Sequence, residues 1–151
     1  MKDVTIRVME ESDYEKVHEL WMQIKKFGIR SIDDSREGVE RFLRRNPGNS
    51  VVAEKDGEIV GTILCGHDGR RAGFYHVCVK EEYRKQGIGK AMVSFAMEIL
   101  RKEKVNKISL VAFKDNELGN NFWNKEGWER REDLNMYDFA LNKENITRFN
   151  S

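Results

Sequence analysis

Arg84-Lys85-Gln86-Gly87-Ile88-Gly89-Lys90 joins a strand-like run to a helix-like run. Two glycines at such a junction leave the first-turn N–H groups unobstructed, and the helix dipole makes that end attractive to anions. The flanking cations add charge-assisted hydrogen bonds, so the loop reads as a pyrophosphate cradle. Elimination narrows the ligand. A dinucleotide fingerprint beginning at Gly87 needs Gly or Ala where Met92 stands, and a P-loop ending at Lys90 needs Gly at position 84 and Ser or Thr at 91, where the chain has Arg84 and Ala91. What remains is R-x-x-G-x-G after a strand. A Gly-rich turn with solvated lysines is the plain alternative.

The elements that hold this loop follow from periodicity. Gly73-Phe74-Tyr75-His76-Val77-Cys78-Val79 is aromatic and β-branched, as a buried strand is, while Ile88, Met92, Phe95, Ala96, Ile99 and Leu100 form one helical face. Upstream, Val4 to Val8 alternates as a strand, and Ser12-Asp13-Tyr14-Glu15 reads as a capping box before a helix carrying Val17, Leu20, Trp21 and Ile24. A second helix is expected from Ser35 to Arg45, then strands over 50–54 and 58–64 joined at Asp56-Gly57. Asp68-Gly69 reads as a second two-residue hairpin turn, setting Cys65 opposite Ala72 and Cys78 opposite Ile59, so the two cysteines do not pair. Downstream, Lys107 to Phe113 reads as a strand, Asn116 to Glu126 as a helix capped by Gly127, and Leu134 to Leu141 as a last strand before a polar, frayed tail. The order β-α-α-β-β-β-α-β-α-β predicts an α/β fold, a mixed sheet with helices on both faces.

With 151 residues and no repeat, linker or low-complexity tract, the chain reads as one domain over 1–151, its core at about 4–141. Lys and Arg number 27 against 26 Asp and Glu, a net charge of +1, which argues against a general nucleic-acid surface. No apolar run approaches the ~20 residues that span a bilayer, and charges occupy the N-terminus where a signal peptide is apolar; the expected location is cytoplasmic. Two cysteines are too few for a disulfide scaffold, and Cys78 reads as a buried thiol rather than a nucleophile.

The loop resembles the acyl-CoA signature of the GNAT superfamily of acetyltransferases, Q/R-x-x-G-x-G/A. The family's later motif, N-x-x-A-x-x-x-Y-x-x-x-G-F/Y, aligns with Asn116, Gly119, Trp123, Gly127 and Trp128, and Gly66-His67-Asp68-Gly69-Arg70-Arg71 is similar to a turn of a small bacterial single-domain subgroup. The resemblance covers about residues 4 to 141 and implies a mostly antiparallel mixed sheet. It also implies an N-acetyltransferase moving acetyl from acetyl-CoA directly to a primary amine of a small molecule or peptide, with no metal, no nucleic acid and no membrane partner; a homodimer is compatible with it. Carried over residue by residue, backbone N–H groups of Lys85, Gln86, Gly87, Ile88, Gly89 and Lys90 hold pyrophosphate with Arg84, Lys85 and Lys90 as nearby cations, Val77, Cys78 and Val79 pair with the pantetheine arm, and the N–H near Val77 or Val79 polarises the carbonyl. Asn116 bonds the same arm, and Trp123 stands where the family has a tyrosine acid.

The family's base positions fall on Arg71, Gly73 and Tyr75, none a carboxylate. Tyr75 is the expected water-holding group. His76 has a suitable intrinsic pKa, but strand alternation turns it to the opposite face unless a bulge rotates it. Asp68 and Glu82 are further options for the base, and Tyr137 for the acid. Tyr14, Trp21, Phe27, Arg30 and the Arg70-Arg71 turn are the expected acceptor contacts. The rival reading is a non-catalytic acyl-CoA-binding sensor or partner module.

Overall fold

The computed structural model describes residues 3–151, so Met1 and Lys2 lie outside the described residues. Its central sheet runs β1 (Thr5–Val8), β3 (Val51–Lys55), β4 (Glu58–His67), β5 (Ala72–Val79), β6 (Ile108–Ser109), in that order. Every pairing is antiparallel except β5 with β6, which is parallel. Helices α1 (Tyr14–Gln23) and α2 (Arg36–Arg45) cover one face; α3 (Ile88–Lys102) and α4 (Glu117–Lys125) lie on the other. Strand alternation divides the core: Val51 and Ala53 join the α3 side, while Val52 between them joins the α1 side with Trp21 and Leu20.

Local chemistry explains most boundaries. Asp56 (φ 50°) and Gly57 (φ 78°) make the tight turn between β3 and β4, pairing Lys55 with Glu58. Ser35 Oγ accepts from Gly38 N at 3.0 Å and starts α2. The capping box before α1 belongs to Glu10 and Asp13 rather than Ser12 and Glu15, because a short 3-10 turn over Glu11–Asp13 precedes the helix. Asp13 is held there by Arg7, whose Nη1 and Nη2 donate to the two carboxylate oxygens at 2.8 and 2.9 Å.

Four expectations are corrected. The connection from β4 to β5 is a four-residue loop, since Asp68 Oδ1 accepts from both Arg70 N and Arg71 N; His67 therefore pairs with Ala72, Cys65 faces Phe74 and Cys78 faces Thr62. Both cysteines are nonetheless free and buried. The strand expected over 107–113 is only β6, because β5 pairs with it at Ala72 and Gly73 and then diverges. Residues 134–141 form no strand: their alternation provides two apolar faces, but no sheet edge lies against them. Finally, the polar tail is not frayed. Thr147–Phe149 forms β7 on β2 (Gly28–Arg30), a strand the periodicity did not announce, and Asn150 Nδ2 donates to Trp21 O and Ile24 O, both at 2.8 Å.

Candidate active site

The glycine loop owes its shape to two left-handed residues, Lys85 (φ 64°) and Gly87 (φ 85°). Nothing stands within 4 Å of where a Gly87 side chain would begin, so glycine is required by conformation, not by crowding. At Gly89 the reason is contact: an added Cβ would meet the Phe122 ring at 3.3 Å, so this glycine lets α3 start close against α4. Six consecutive N–H groups, Lys85 through Lys90, find no acceptor among the described residues; the first helical bond runs from Ala91 N to Gly87 O. Such a row of free donors at the positive end of a fifteen-residue helix is a site for an anion. Arg84 Nε donates to Val79 O at 2.9 Å and ties the loop to the end of β5.

Beside the loop, β5 and β6 splay apart. Residues 74–79 hydrogen-bond β4 along one edge only; their other edge faces the gap opened beyond Ser109. A ligand bearing amides in an extended chain can satisfy that edge as a strand would. Val77 and Val79 turn toward the α3 side and Cys78 toward the α1 side, so their side chains pack while their backbone lines the gap. Burial pushes the Cys78 thiol up to about 11, and Thr62 Oγ1, 3.4 Å from the sulfur, only partly offsets it; this cysteine is not a thiolate nucleophile.

The sheet register shifts between Thr62 and Leu64: Thr62 pairs with Cys78 and Leu64 with Tyr75, so Ile63 faces two residues, His76 and Val77. His76 sits at φ 49°, which defines a bulge. Simple alternation would send Tyr75 and His76 to opposite faces. The bulge instead sets both on the α1/α2 face, Tyr75 edge-on to Phe42 and His76 between Trp21 and Phe27, each ring 4.6 Å from the imidazole. The bulge is pinned from below: Thr62 Oγ1 donates to His76 O at 2.8 Å and accepts from Trp21 Nε1 at 3.0 Å.

His76 Nε2 lies 2.9 Å from Asp34 Oδ1, and both side chains are nearly buried. Asp34 is fixed in turn, its Oδ2 accepting from Arg30 N at 2.7 Å and its carbonyl from Tyr14 OH at 2.7 Å. A carboxylate at Nε2 favours the tautomer that carries its proton there and leaves the Nδ1 lone pair free, which is how a histidine is prepared to take up a proton. Asp34 escaped the sequence reading because it belongs to a loop without periodicity; only its burial in the fold singles it out. Tyr75 leans the other way: its hydroxyl lies over Gly73, toward the start of β5, and half of the side chain is exposed.

Among the remaining candidates, Asn116 caps α4, its Oδ1 accepting from Gly119 N at 3.0 Å. Trp123 is packed between Phe122 and Trp128, ring centroids at 4.9 and 4.6 Å, and supplies no hydroxyl. Of the acceptor-side residues, Tyr14, Trp21, Phe27 and Arg30 gather around Asp34 and His76, whereas Arg70 and Arg71 sit in the β4–β5 loop at the far end of β5. Asp68 is spent on its own loop, and Tyr137 is almost wholly exposed. Across the gap, Phe113 meets Phe149 of β7 with ring centroids 5.6 Å apart, so the tail forms one rim of the cleft. No group of three metal-ligating side chains occurs among the described residues, nor is any of their helices long and apolar enough to cross a membrane.

The same arrangement recurs in known proteins. The profile of the Acetyltransferase (GNAT) family matches residues 14–128. The chain is 33% identical over 129 residues, 85% of its length and 89% of the other's, to Acetyltransferase SG1711 of Sodalis glossinidius. In fold it is similar to the PaiA N-acetyltransferase of Thermoplasma acidophilum, solved in complex with coenzyme A, at a TM-score of 0.75 and 18% identity over 95% of this chain and 96% of that one. It is similar also to AAC(6')-Iy, solved with the bisubstrate analogue CoA-S-monomethyl-acetylneamine, at a TM-score of 0.73 and 15% identity over 91% and 99% of the two chains. With the anion loop, the splayed sheet edge and a family match from α1 to the end of the later motif, the chain belongs to the GNAT family of acetyltransferases.

Proposed function

We propose that the protein moves the acetyl group of acetyl-CoA directly to a primary amine of a small molecule or peptide, with His76 as general base and Asp34 as its positioning partner. The observation that carries this reading is the bulge, which sets an imidazole backed by a buried carboxylate on the stretch of β5 that borders the β5–β6 gap. In it, the N–H groups of Lys85 to Lys90 hold the pyrophosphate and the free edge of Val77 to Val79 aligns the pantetheine arm. The neutral amine adds to the thioester carbonyl, forming the C–N bond, and a β5 N–H near Val77 stabilises the oxyanion. The amine proton passes to His76 Nδ1, directly or through one water, as the C–S bond breaks. Trp123 offers only an indole N–H, so the thiolate leaves without an enzymatic acid and takes its proton from solvent. The high-lying Cys78 thiol supports direct transfer over an acyl-enzyme route. A small-molecule amine is the acceptor class best supported, since AAC(6')-Iy, with the same fold, was solved with an analogue that joins CoA to acetylneamine.

The test is thiol release from acetyl-CoA against a panel of amines, polyamines, aminoglycosides and short peptides. Release should depend on one acceptor class, and His76→Gln should lower kcat by about 10²–10⁴ while leaving acetyl-CoA affinity intact. Tight acetyl-CoA binding without release for any acceptor, a whole-proteome extract included, would establish the binding-module alternative. Full activity in His76→Gln would remove histidine from the mechanism.

A further inference from the structure

Three side chains flank His76 on the α1/α2 face, and all three come from one stretch of chain. Trp21 lies in the last turn of α1, Phe27 and Asp34 in the connection from α1 to α2. That connection carries one strand, β2, whose partner among the described residues is β7 near the end of the chain. The polar tail therefore decides how this stretch sits. Asn150 Nδ2 donates to Trp21 O and Ile24 O at the end of α1, where intrahelical donors run out. The Asn150 backbone accepts from Lys26 N and donates to Phe27 O. Further along, Arg30 pairs with Thr147 in the β2–β7 ladder, and the same Arg30 donates its N–H to Asp34 Oδ2 at 2.7 Å. Asn145 closes the clasp: its Oδ1 accepts from Ile32 N at 3.0 Å and Asp33 N at 3.1 Å, and its Nδ2 donates to Asp33 Oδ2 at 2.8 Å. Both halves of the amide are in use.

We propose that Asn145 and Asn150 are positioning residues for the transfer reaction: acting through residues 21–34, they hold Asp34 on His76 Nε2 and the Trp21 and Phe27 rings against the imidazole. This rests on the reading of His76 as base. Asp34 belongs to no helix and to no strand of the central sheet, so its place is inherited from the residues before it. Each of those is bonded to the tail: Arg30 through the β7 ladder, Ser31 through Ile146, Ile32 and Asp33 through Asn145. Loosening the clasp displaces the carboxylate while leaving the acetyl-CoA cradle alone, because Lys85 to Lys90 start α3 on the other face of the sheet. A displaced carboxylate also shows in the imidazole itself, since a ring proton held by a nearly buried acceptor is shielded from exchange and a released one is not.

Steady-state kinetics, calorimetry and ¹⁵N-edited NMR of the imidazoles test this on the intact chain. In the unsubstituted protein the His76 Nε2 proton should give a downfield, slowly exchanging resonance. Asn145→Asp sets a carboxylate against Asp33 and removes the donor between them. It should lower kcat roughly tenfold to a hundredfold with acetyl-CoA affinity unchanged, and the ring-proton signal should be lost to exchange. Asn150→Ala should lower kcat in the same way by releasing Trp21 and Phe27. Asn145→Asp combined with Asp33→Asn exchanges donor and acceptor, and should restore both kcat and the signal. A tail that only stabilises the chain would let the single variants lower the urea midpoint yet keep kcat and the signal in the folded enzyme. That result, or a double variant as impaired as Asn145→Asp alone, overturns the proposal. Loss of the signal with turnover unchanged would keep the clasp and remove His76 from the reaction, so the clasp and the base role of His76 fail separately.

Discussion

Thr62→Val removes one buried hydroxyl from beneath the bulge and nothing else of consequence. Thr62 is fully buried, and its Oγ1 accepts from Trp21 Nε1 at 3.0 Å and donates to His76 O at 2.8 Å. Valine fills nearly the same volume, so no cavity forms, but a buried indole N–H and a buried carbonyl lose their partner together. Each such orphan costs about 1–3 kcal/mol, and because both depend on one oxygen the losses do not simply add; about 3 kcal/mol is expected. With a urea dependence of about 1–3 kcal/mol per molar for a domain of this size, the unfolding midpoint should fall by roughly 1–3 M at unchanged slope. Thr62→Ser keeps the hydroxyl and loses one methyl, costing about 1 kcal/mol. Urea unfolding followed by Trp fluorescence reads all three proteins. In the Val variant kcat should fall as His76 shifts, while acetyl-CoA affinity holds, because the cradle is on the α3 side. A Val variant as stable as the Ser variant would refute the claim that this hydroxyl holds the bulge.

Gly87→Ala forces a Cβ onto φ 85°, a strain of about 1–2 kcal/mol; calorimetry should show acetyl-CoA affinity down about tenfold as the loop relaxes out of its N–H row. At Asp13 burial pushes the carboxyl up, but the Arg7 guanidinium and the Glu10 N–H outweigh it and hold the group below the usual carboxylate range. A depressed carboxyl contributes stability that is complete above its unfolded value near 3.9 and lost as pH falls through the lower folded one. Asp13→Asn should therefore cost about 1–3 kcal/mol at neutral pH, a gap that persists to about pH 5 and closes below pH 4 in urea titrations.

Most of what positions the cleft was legible because it is local. Glycine spacing and the apolar face from Ile88 to Leu100 specify a strand–loop–helix unit, and Asp56-Gly57 specifies a turn, with no need of distant residues. The features missed are those that distant residues decide. A bulge at His76 has no signature in Phe74-Tyr75-His76-Val77; it depends on Thr62 and Asp34, which the chain brings in from β4 and the α1–α2 connection. Tail polarity suggested fraying, yet the Asn150 and Asn145 side chains bond backbone groups on either side of β2, at the end of α1 and at Ile32 and Asp33, a use that composition does not reveal. Alternation over 134–141 suggested a strand that does not form, because a period of two says nothing about which edge a strand will find.

Six non-glycine residues have positive φ among the described residues, and His76 alone of them lies within a strand, where the left-handed conformation costs a branched backbone about 1–2 kcal/mol. What offsets that cost is the Thr62 hydroxyl, the Asp34 contact and the two flanking aromatic rings. The same extra residue bends β5 where it leaves β6, so the insertion that aims the imidazole also helps open the gap it faces. This has a consequence that reverses an ordinary rule. In a regular strand alanine outranks glycine, by about 0.5–1 kcal/mol. At His76 both substitutions remove the ring equally, but only alanine retains the left-handed strain. His76→Gly should be the more stable of the two by about 1 kcal/mol in urea unfolding. If His76→Ala proves the more stable, the backbone there is not strained, and the bulge is held by the imidazole's contacts rather than by the sheet beneath it.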